Sequence, residues 1–433
     1  MEYQVTDQLA SKVPEEVKTI CKTLKTNGFE AYCVGGAVRD ILLGKDPKDW
    51  DIASNAKPDD VISLFEKVIP TGIAHGTVTV MVNGVGYEIT TYRGEGEYSD
   101  GRRPDEVFFV NSIQEDLKRR DFTINAMAYD PIENKLVDPF GGAIDLKNKK
   151  IKAVGDPNKR FEEDSLRTMR AARFVSKLGF TLDEETQNAI ANHSELLLTL
   201  SKERVRDELL NILKSNNAAH GIQILADTGV LGKLLPQIFH NPLLQSNLSK
   251  IDQMPAGRYL EKFTILVNGL PVSTVDKLTS ELKFSSNEMN PVSFLVRGIF
   301  LSKSLLNHSS EQLRDMLAEL KKKFSGDFVK AIEILGGILL VLDILPENVI
   351  SNLVQESSNP VSIKDLNIDG NILMQELNIK GKEIGELQKI LLKEVIQNPS
   401  LNTKEQLLDR AKMLLNKHEA LLNKCNNFEK LAN

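Results

Sequence analysis

The sequence predicts an α+β fold, a head built on a small β-sheet followed by an all-helical remainder. Three observations carry that reading. Alternating apolar residues, the mark of half-buried strands, are confined to the first part of the chain, as in TVTVMV and VGYEITTY. Glycine turns separate those segments, among them Gly35-Gly36 and Asn83-Gly84. After about Pro157 the strand signals largely vanish and amphipathic helical spacing takes over.

Taken in order, Glu15 to Thr26 reads as a helix ended by Asn27-Gly28, AYCVGG as a strand running into a glycine turn, and Ala37 to Leu43 as a helix closed by Gly44. WDIAS reads as a strand and Pro58 to Lys67 as a helix. Two strands around Asn83-Gly84 follow, the strongest hairpin signal in the chain. Tyr92 to Glu106 is too polar and glycine-rich for core and too long for an ordinary connection, which marks it as either a functional lid or a disordered loop. Asp156-Pro157 starts and Gly179 stops one long helix through RFEEDSLRTMRAARFVSKL. Helices continue beyond it, with breaks near Ser215-Asn217, Asn241-Pro242, Ser285-Asn287, Pro346 and Asn359-Pro360.

At 433 residues the chain exceeds what one hydrophobic core organises, so two to four domains are expected. The longest apolar run, Ile334 to Leu342, is far short of the roughly 20 residues a membrane span needs and reads as a buried helix. The N-terminus has no basic stretch followed by an apolar one, so a cytoplasmic location is expected. Cys21, Cys33 and Cys425 form no CxxC pair, which argues against zinc and disulfide frameworks. The net charge of −6 means that any nucleic acid must be met by a local patch. One lies between Leu146 and Arg173, where nine Lys or Arg face four Asp or Glu; most such runs are solvated faces.

The sharpest chemical feature is Asp49-Trp50-Asp51, since residues i and i+2 of a strand place two carboxylates on one face. Hard oxygen ligands suit Mg²⁺, which takes substrate phosphates as further ligands. Two such ions can activate a ribose hydroxyl and stabilise leaving pyrophosphate. A DxD alone is more often a solvated strand end, but GGAVRDILLG lies just upstream. Gly35 and Gly36 let backbone approach phosphates, and Arg39 adds a bidentate donor, all within 17 residues of Asp51. Glu88 is either a third catalytic carboxylate or an exposed strand residue. In RRDFTINA, Asp121 and Asn125 share a face if helical and can hold a ribose 2′-hydroxyl while Arg120 reaches phosphate or base.

In EEDSLRTMRAARF, Asp164 and Arg167 are three apart, with Arg170 and Arg173 continuing the stripe. Cytosine and adenine both show an amino donor beside a ring-nitrogen acceptor, so an aspartate and an arginine fit either base. Guanine and uracil oppose acceptor to acceptor, which rejects them. As isolated residues the pair would form an ordinary i,i+3 salt bridge.

These segments, with TGIAHGTVTV, YRGEGEYSDGRRP, DPFGGAIDL and SKERVRDEL in order, make the chain resemble the class II CCA-adding enzymes, the tRNA nucleotidyltransferase and poly(A) polymerase family, in a bacterial form without an HD domain. The resemblance implies a polymerase-β-like nucleotidyltransferase head at residues 1–150, a neck for base recognition at 151–217, a helical body at 218–345 and a tRNA-binding tail at 346–433, arranged like a seahorse. It implies that Gly36 and Arg39 bind NTP, that Asp49 and Asp51 hold Mg²⁺, and that Arg120, Asp164, Arg167, Arg170 and Arg173 contact nucleotide. The expected partners are tRNA, ATP and CTP, with no membrane and no obligate protein partner. The expected reaction adds C, C and A to the tRNA 3′ end. A-only addition shares every motif named; poly(A) polymerase and a non-catalytic tRNA-binding protein are the other readings.

Overall fold

The computed structural model describes residues 2–94, 108–305, 308–322 and 324–416. Most of the polar segment Tyr92 to Glu106, together with Cys425, lies outside them. Two compact units are present, Met1–Leu244 with Pro255–Tyr259, and Gln245–Met254 with Leu260–Asn433.

The first unit begins with helices α1 (Glu2–Lys12) and α2 (Glu15–Thr26). On α2, Val17, Ile20, Cys21 and Leu24 recur at helical spacing and are buried, while Glu15 and Glu16 sit in the first turn where the helix dipole favours them. β1 (Ala31–Val34), α3 (Gly36–Leu42), β2 (Asp51–Ser54), α4 (Pro58–Leu64), β3 (Val68–Ile69), β4 (Thr77–Val82) and β5 (Val85–Thr91) follow. Asn83 and Gly84 both take positive φ, 52° and 81°, as a tight hairpin turn between β4 and β5 requires. Next come α5 (Ile113–Lys118), β6 (Ala128–Asp130), β7 (Lys135–Val137), α6 (Gly142–Lys147) and β8 (Lys150–Ile151). In the seven-stranded sheet the strand order is β3-β4-β5-β2-β1-β6-β7; β2 and β5 pair parallel and the other described neighbours antiparallel. Val34, Ala53, Tyr92, Leu117, Ala126 and Ala128 form one buried cluster beside the sheet.

The expected single helix from Pro157 to Gly179 is two, α7 (Pro157–Glu163) and α8 (Leu166–Leu178). The break falls at Asp164, whose backbone is extended at φ −144° and ψ 99°. Its carboxylate takes the N–H of Leu166 at 3.1 Å, the local alternative that aspartate offers a helical backbone. Gly179 ends α8 at φ 69°, a left-handed stop. A short strand, β9 (Thr181–Leu182), pairs parallel with β8 and was not foreseen, because two residues carry no periodicity. Helices α9 (Glu184–Asn192) and α10 (Lys202–Leu213) then pack in the same unit.

The described part of the second unit is helical. Its apolar run lies in the helix Phe328–Val341, which buries Ile332, Leu335, Ile338 and Leu339. No described helix is long and apolar enough to cross a membrane. Arg314, on the helix Ser310–Lys321, pairs with Glu356 at 2.8 Å and donates to the carbonyls of Ile396 and Gln397 at 2.5 and 3.0 Å. It thereby satisfies two terminal carbonyls of the helix Lys382–Gln397.

Candidate active site

A cavity of about 580 Å³ opens on the sheet in the first unit. The head contributes Gly35, Gly36, Arg39, Asp51, Glu88, Arg120, Asp121 and Asn125 to its lining, and the helical segment contributes Asp164, Arg167 and Arg170. Of the residues anticipated from sequence, Asp49 and Arg173 are absent from that lining.

Asp51 opens β2, and Glu88 on β5 is its register partner across the parallel pair, so the two carboxylates share a face. Burial, then the charge of Glu88, holds the Asp51 carboxyl above the usual carboxylate range; Arg120 works against them and Asp49 with them. Asp49 lies two residues before the strand rather than on it. It lines an adjoining recess with Trp50 and Tyr87 to which Asp51 and Glu88 also contribute. Among the described residues no three His, Cys, Asp or Glu side chains converge to ligating distance. Mg²⁺ seldom uses an all-protein cage and prefers one or two carboxylates with phosphates and waters. A shared-face oxygen pair carrying excess negative charge fits such an ion.

Gly35 has φ 69° and caps α3. The positive φ favours glycine, and a β-carbon there would stand 3.0 Å from the Arg120 guanidinium, which would have to give way slightly. Arg39 is 4% exposed and donates to Asn125 Oδ1 at 2.6 Å. Asn125 in turn donates to Asp121 Oδ1 at 3.0 Å, and Arg170 Nε donates to Asp121 Oδ2 at 2.9 Å. Asp121 and Asn125 therefore do meet, but across the short 3₁₀ turn Thr123–Asn125 rather than on an α-helix. Burial alone would push Asp121 up, yet Arg170, Asn125 and the Phe122 N–H outweigh it and hold the carboxyl low.

The Arg167 backbone N–H bonds the Asp164 carbonyl at 3.0 Å, but their charged groups take other partners. Arg167 Nη1 donates to Glu163 at 2.8 Å and to the Arg160 carbonyl at 3.0 Å, and Nη2 to the Arg119 carbonyl at 3.0 Å. Asp164 is instead reached by Arg204 from α10. Arg173 pairs with Glu208 at 3.3 Å. Sequence reasoning passed over Arg93, Arg119, Arg204 and Phe174, all of which line the cavity. The four fall within segments already singled out as motifs, so the available signal was their neighbourhood, not their type.

A mixed sheet presenting two carboxylates to an arginine-rich cavity is the frame of a nucleotidyltransferase. Residues 31–152 match the family model described as the poly A polymerase head domain. Residues 179–241 match that described as "Probable RNA and SrmB-binding site of polymerase A". The chain is 36% identical to the CCA-adding enzyme of Ligilactobacillus salivarius over 414 residues, 94% of this chain and 99% of that protein. It is 53% identical to the CCA-adding enzyme of a Geobacillus species over 211 residues, 49% of this chain and 52% of the other. The crystal structure of the Bacillus stearothermophilus CCA-adding enzyme in complex with CTP superposes with a TM-score of 0.73 at 30% identity, covering 94% and 98% of the two chains. The chain belongs to the family of bacterial CCA-adding enzymes.

Proposed function

We propose that this protein adds C, C and A to the 3′ end of tRNA from CTP and ATP, releasing pyrophosphate. One observation carries the reading: Asp51 and Glu88 from the sheet, and Asp164 and Arg167 from the junction of α7 and α8, line a single cavity. Relatives named for CCA addition along nearly the whole chain support it.

Asp49 and Asp51, with Glu88 beside them, would hold Mg²⁺. Ions bound there would supply a lowered pKa at the attacking hydroxyl and compensation for charge on the leaving pyrophosphate. Gly35, Gly36, Arg39 and Arg120 receive the triphosphate, the arginines as forked donors. Asp164 accepts from the exocyclic amino group of C or A, and Arg167 donates to the ring nitrogen. Three donor contacts already reach Asp164, from Leu166 and twice from Arg204, and a carboxylate offers about four lone-pair sites. Asp121 accepts from Phe122, Asn125 and twice from Arg170, so its capacity is taken. We therefore give Asp121 and Asn125 the task of holding Arg39 and Arg170, not of reading ribose. Arg173 contributes from behind the cavity wall. Within the same reading, residues 151–217 recognise the base, and 218–345 and 346–433 form body and tail on the tRNA.

The test uses three tRNAs, one lacking CCA, one ending in C and one ending in CC, each with Mg²⁺ and single or mixed NTPs. Ordered addition of C, C and A is expected. Incorporation on the CC-ending tRNA alone would replace this reading with A-only addition, and long A tails would replace it with poly(A) synthesis.

A further inference from the structure

Three guanidinium groups gather on one aromatic ring. Phe174 of α8 is 4% exposed and lines the cavity. The guanidinium carbon of Arg39 lies 5.6 Å from its ring centroid, that of Arg170 5.8 Å and that of Arg173 5.1 Å. All three distances fall inside the roughly 6 Å over which an aromatic face attracts a cation. Phe122 fixes the ring from another side by an edge-to-face contact at 5.5 Å.

The arrangement has an electrostatic problem that the ring addresses. Arg39 comes from α3, whereas Arg170 and Arg173 come from α8, so two elements deliver like charges to one partly dry place. Each cation has a polar partner: Asn125 and Asp40 for Arg39, Asp121 for Arg170, Glu208 for Arg173. Those partners pull in different directions. Burial, and after it the charge of Arg170, holds Arg173 below the usual arginine value, which is how crowding among the three registers. An aliphatic side chain of the same bulk would fill the space but present no negative face.

We propose that Phe174 is a positioning residue for nucleotide binding: its ring holds Arg39 of the head and Arg170 of the base-reading helix at one fixed separation. The distance between the triphosphate donors and the base readers is thereby set before any nucleotide arrives. The inference rests on the nucleotidyl-transfer reading, and it concerns CTP and ATP alike because both carry the same triphosphate.

The test replaces Phe174 with mono-, di- and trifluorinated phenylalanine, which keep the ring's shape while stepwise draining its negative face, and adds Phe174→Leu and Phe174→Trp. Calorimetric Kd for CTP and for ATP is measured beside KM and kcat for CTP, ATP and tRNA, and every variant is melted. The expected result is a graded weakening along the fluorine series, reaching about tenfold in Kd and KM for both nucleotides. KM for tRNA and the melting temperature should stay level, and Phe174→Trp should bind nucleotide as wild type does. A flat Kd across the fluorine series overturns the proposal, and so does loss in Phe174→Leu alone, since that pattern is packing. Should Phe174→Leu fail to fold, the near-isosteric series still decides. Wild-type protein that binds CTP but extends no tRNA would sink the parent reading instead.

Discussion

Arg204 of α10 donates through one nitrogen to both carboxylate oxygens of Asp164, at 3.3 and 3.4 Å. Asp164 also starts α8 through the Leu166 N–H, so the proposed base reader is held by a helix end on one side and an arginine on the other. Replacing Arg204 with methionine keeps most of the stem and removes the donor. KM for CTP and ATP should rise about three- to tenfold, the net worth of one ordinary hydrogen bond. Discrimination against UTP and GTP should fall in a competition assay. Asp164→Ala should relax choice further and, by leaving the Leu166 N–H without its carboxylate acceptor, cost about 1 kcal/mol of stability in a urea melt. Unchanged selectivity in both variants would remove Asp164 from base reading.

Asp51 supplies a prediction about metal. Its folded carboxyl titrates above the ordinary range through burial and then Glu88, so the stability it contributes is fully present below its unfolded pKa and is lost as pH rises through the raised value. At neutral pH without divalent ions, Asp51→Asn should therefore melt higher than wild type, and the gap should close at acid pH. Added Mg²⁺ should raise the melting point of wild type and leave the variant unmoved. Incorporation of both C and A should drop about a thousandfold in Asp49→Ala and Asp51→Asn, several kcal/mol of transition-state stabilisation. Wild-type melting that ignores Mg²⁺ would argue against the assignment.

Asp121 has the opposite sign. With its folded carboxyl held low, its contribution is present above the unfolded pKa and is lost as pH falls through the depressed value. Asp121→Asn should lower stability by about 3 kcal/mol at neutral pH, because Arg170 loses a buried partner. The deficit should shrink steadily as the pH of the melt is taken below about 4, the ordinary aspartate value. A constant deficit across pH would mean that the loss is steric.

In the second unit, Arg314→Met should destabilise by about 3 kcal/mol, since Glu356 loses its partner and two helix-end carbonyls lose their donor. Glu356 is held low by Arg314, Ser310 and Asn359 against the opposing effect of burial, so the deficit should also shrink in acid. Hydrogen exchange should show faster opening of the helix Lys382–Gln397, with nucleotide binding in the first unit unchanged.

The head was legible because its signals are local. Asn83-Gly84 specifies a hairpin by backbone preference alone, and Glu15 to Thr26 matches α2 to the residue. Cavity residues were found where a segment had a chemical reason to be noticed, as with Asp51, Arg39 and Asp164. Arg204 and Phe174 escaped because their meaning lies in partners 40 and 135 residues away, Asp164 and Arg39, and sequence spacing says nothing of that. The helix break at Asp164 was missed for a related reason: periodicity ran unbroken across it, and a single carboxylate capturing one N–H outweighed the pattern. Asp49 was placed on a strand that starts two residues later, an error of two residues at an element boundary.

The chain of contacts from Arg39 through Asn125 and Asp121 to Arg170 has a direction. Only Asn125 both gives and takes, so its oxygen must face the cation and its nitrogen the carboxylate. An aspartate there would set two anions against each other, and a leucine would strand a donor and an acceptor together. Neither neighbour can compensate without disturbing the next. Drift in this protein's descendants is therefore expected to spare these four positions as a block, or to exchange several at once, and a lineage carrying one altered member should be found only with a matching change beside it.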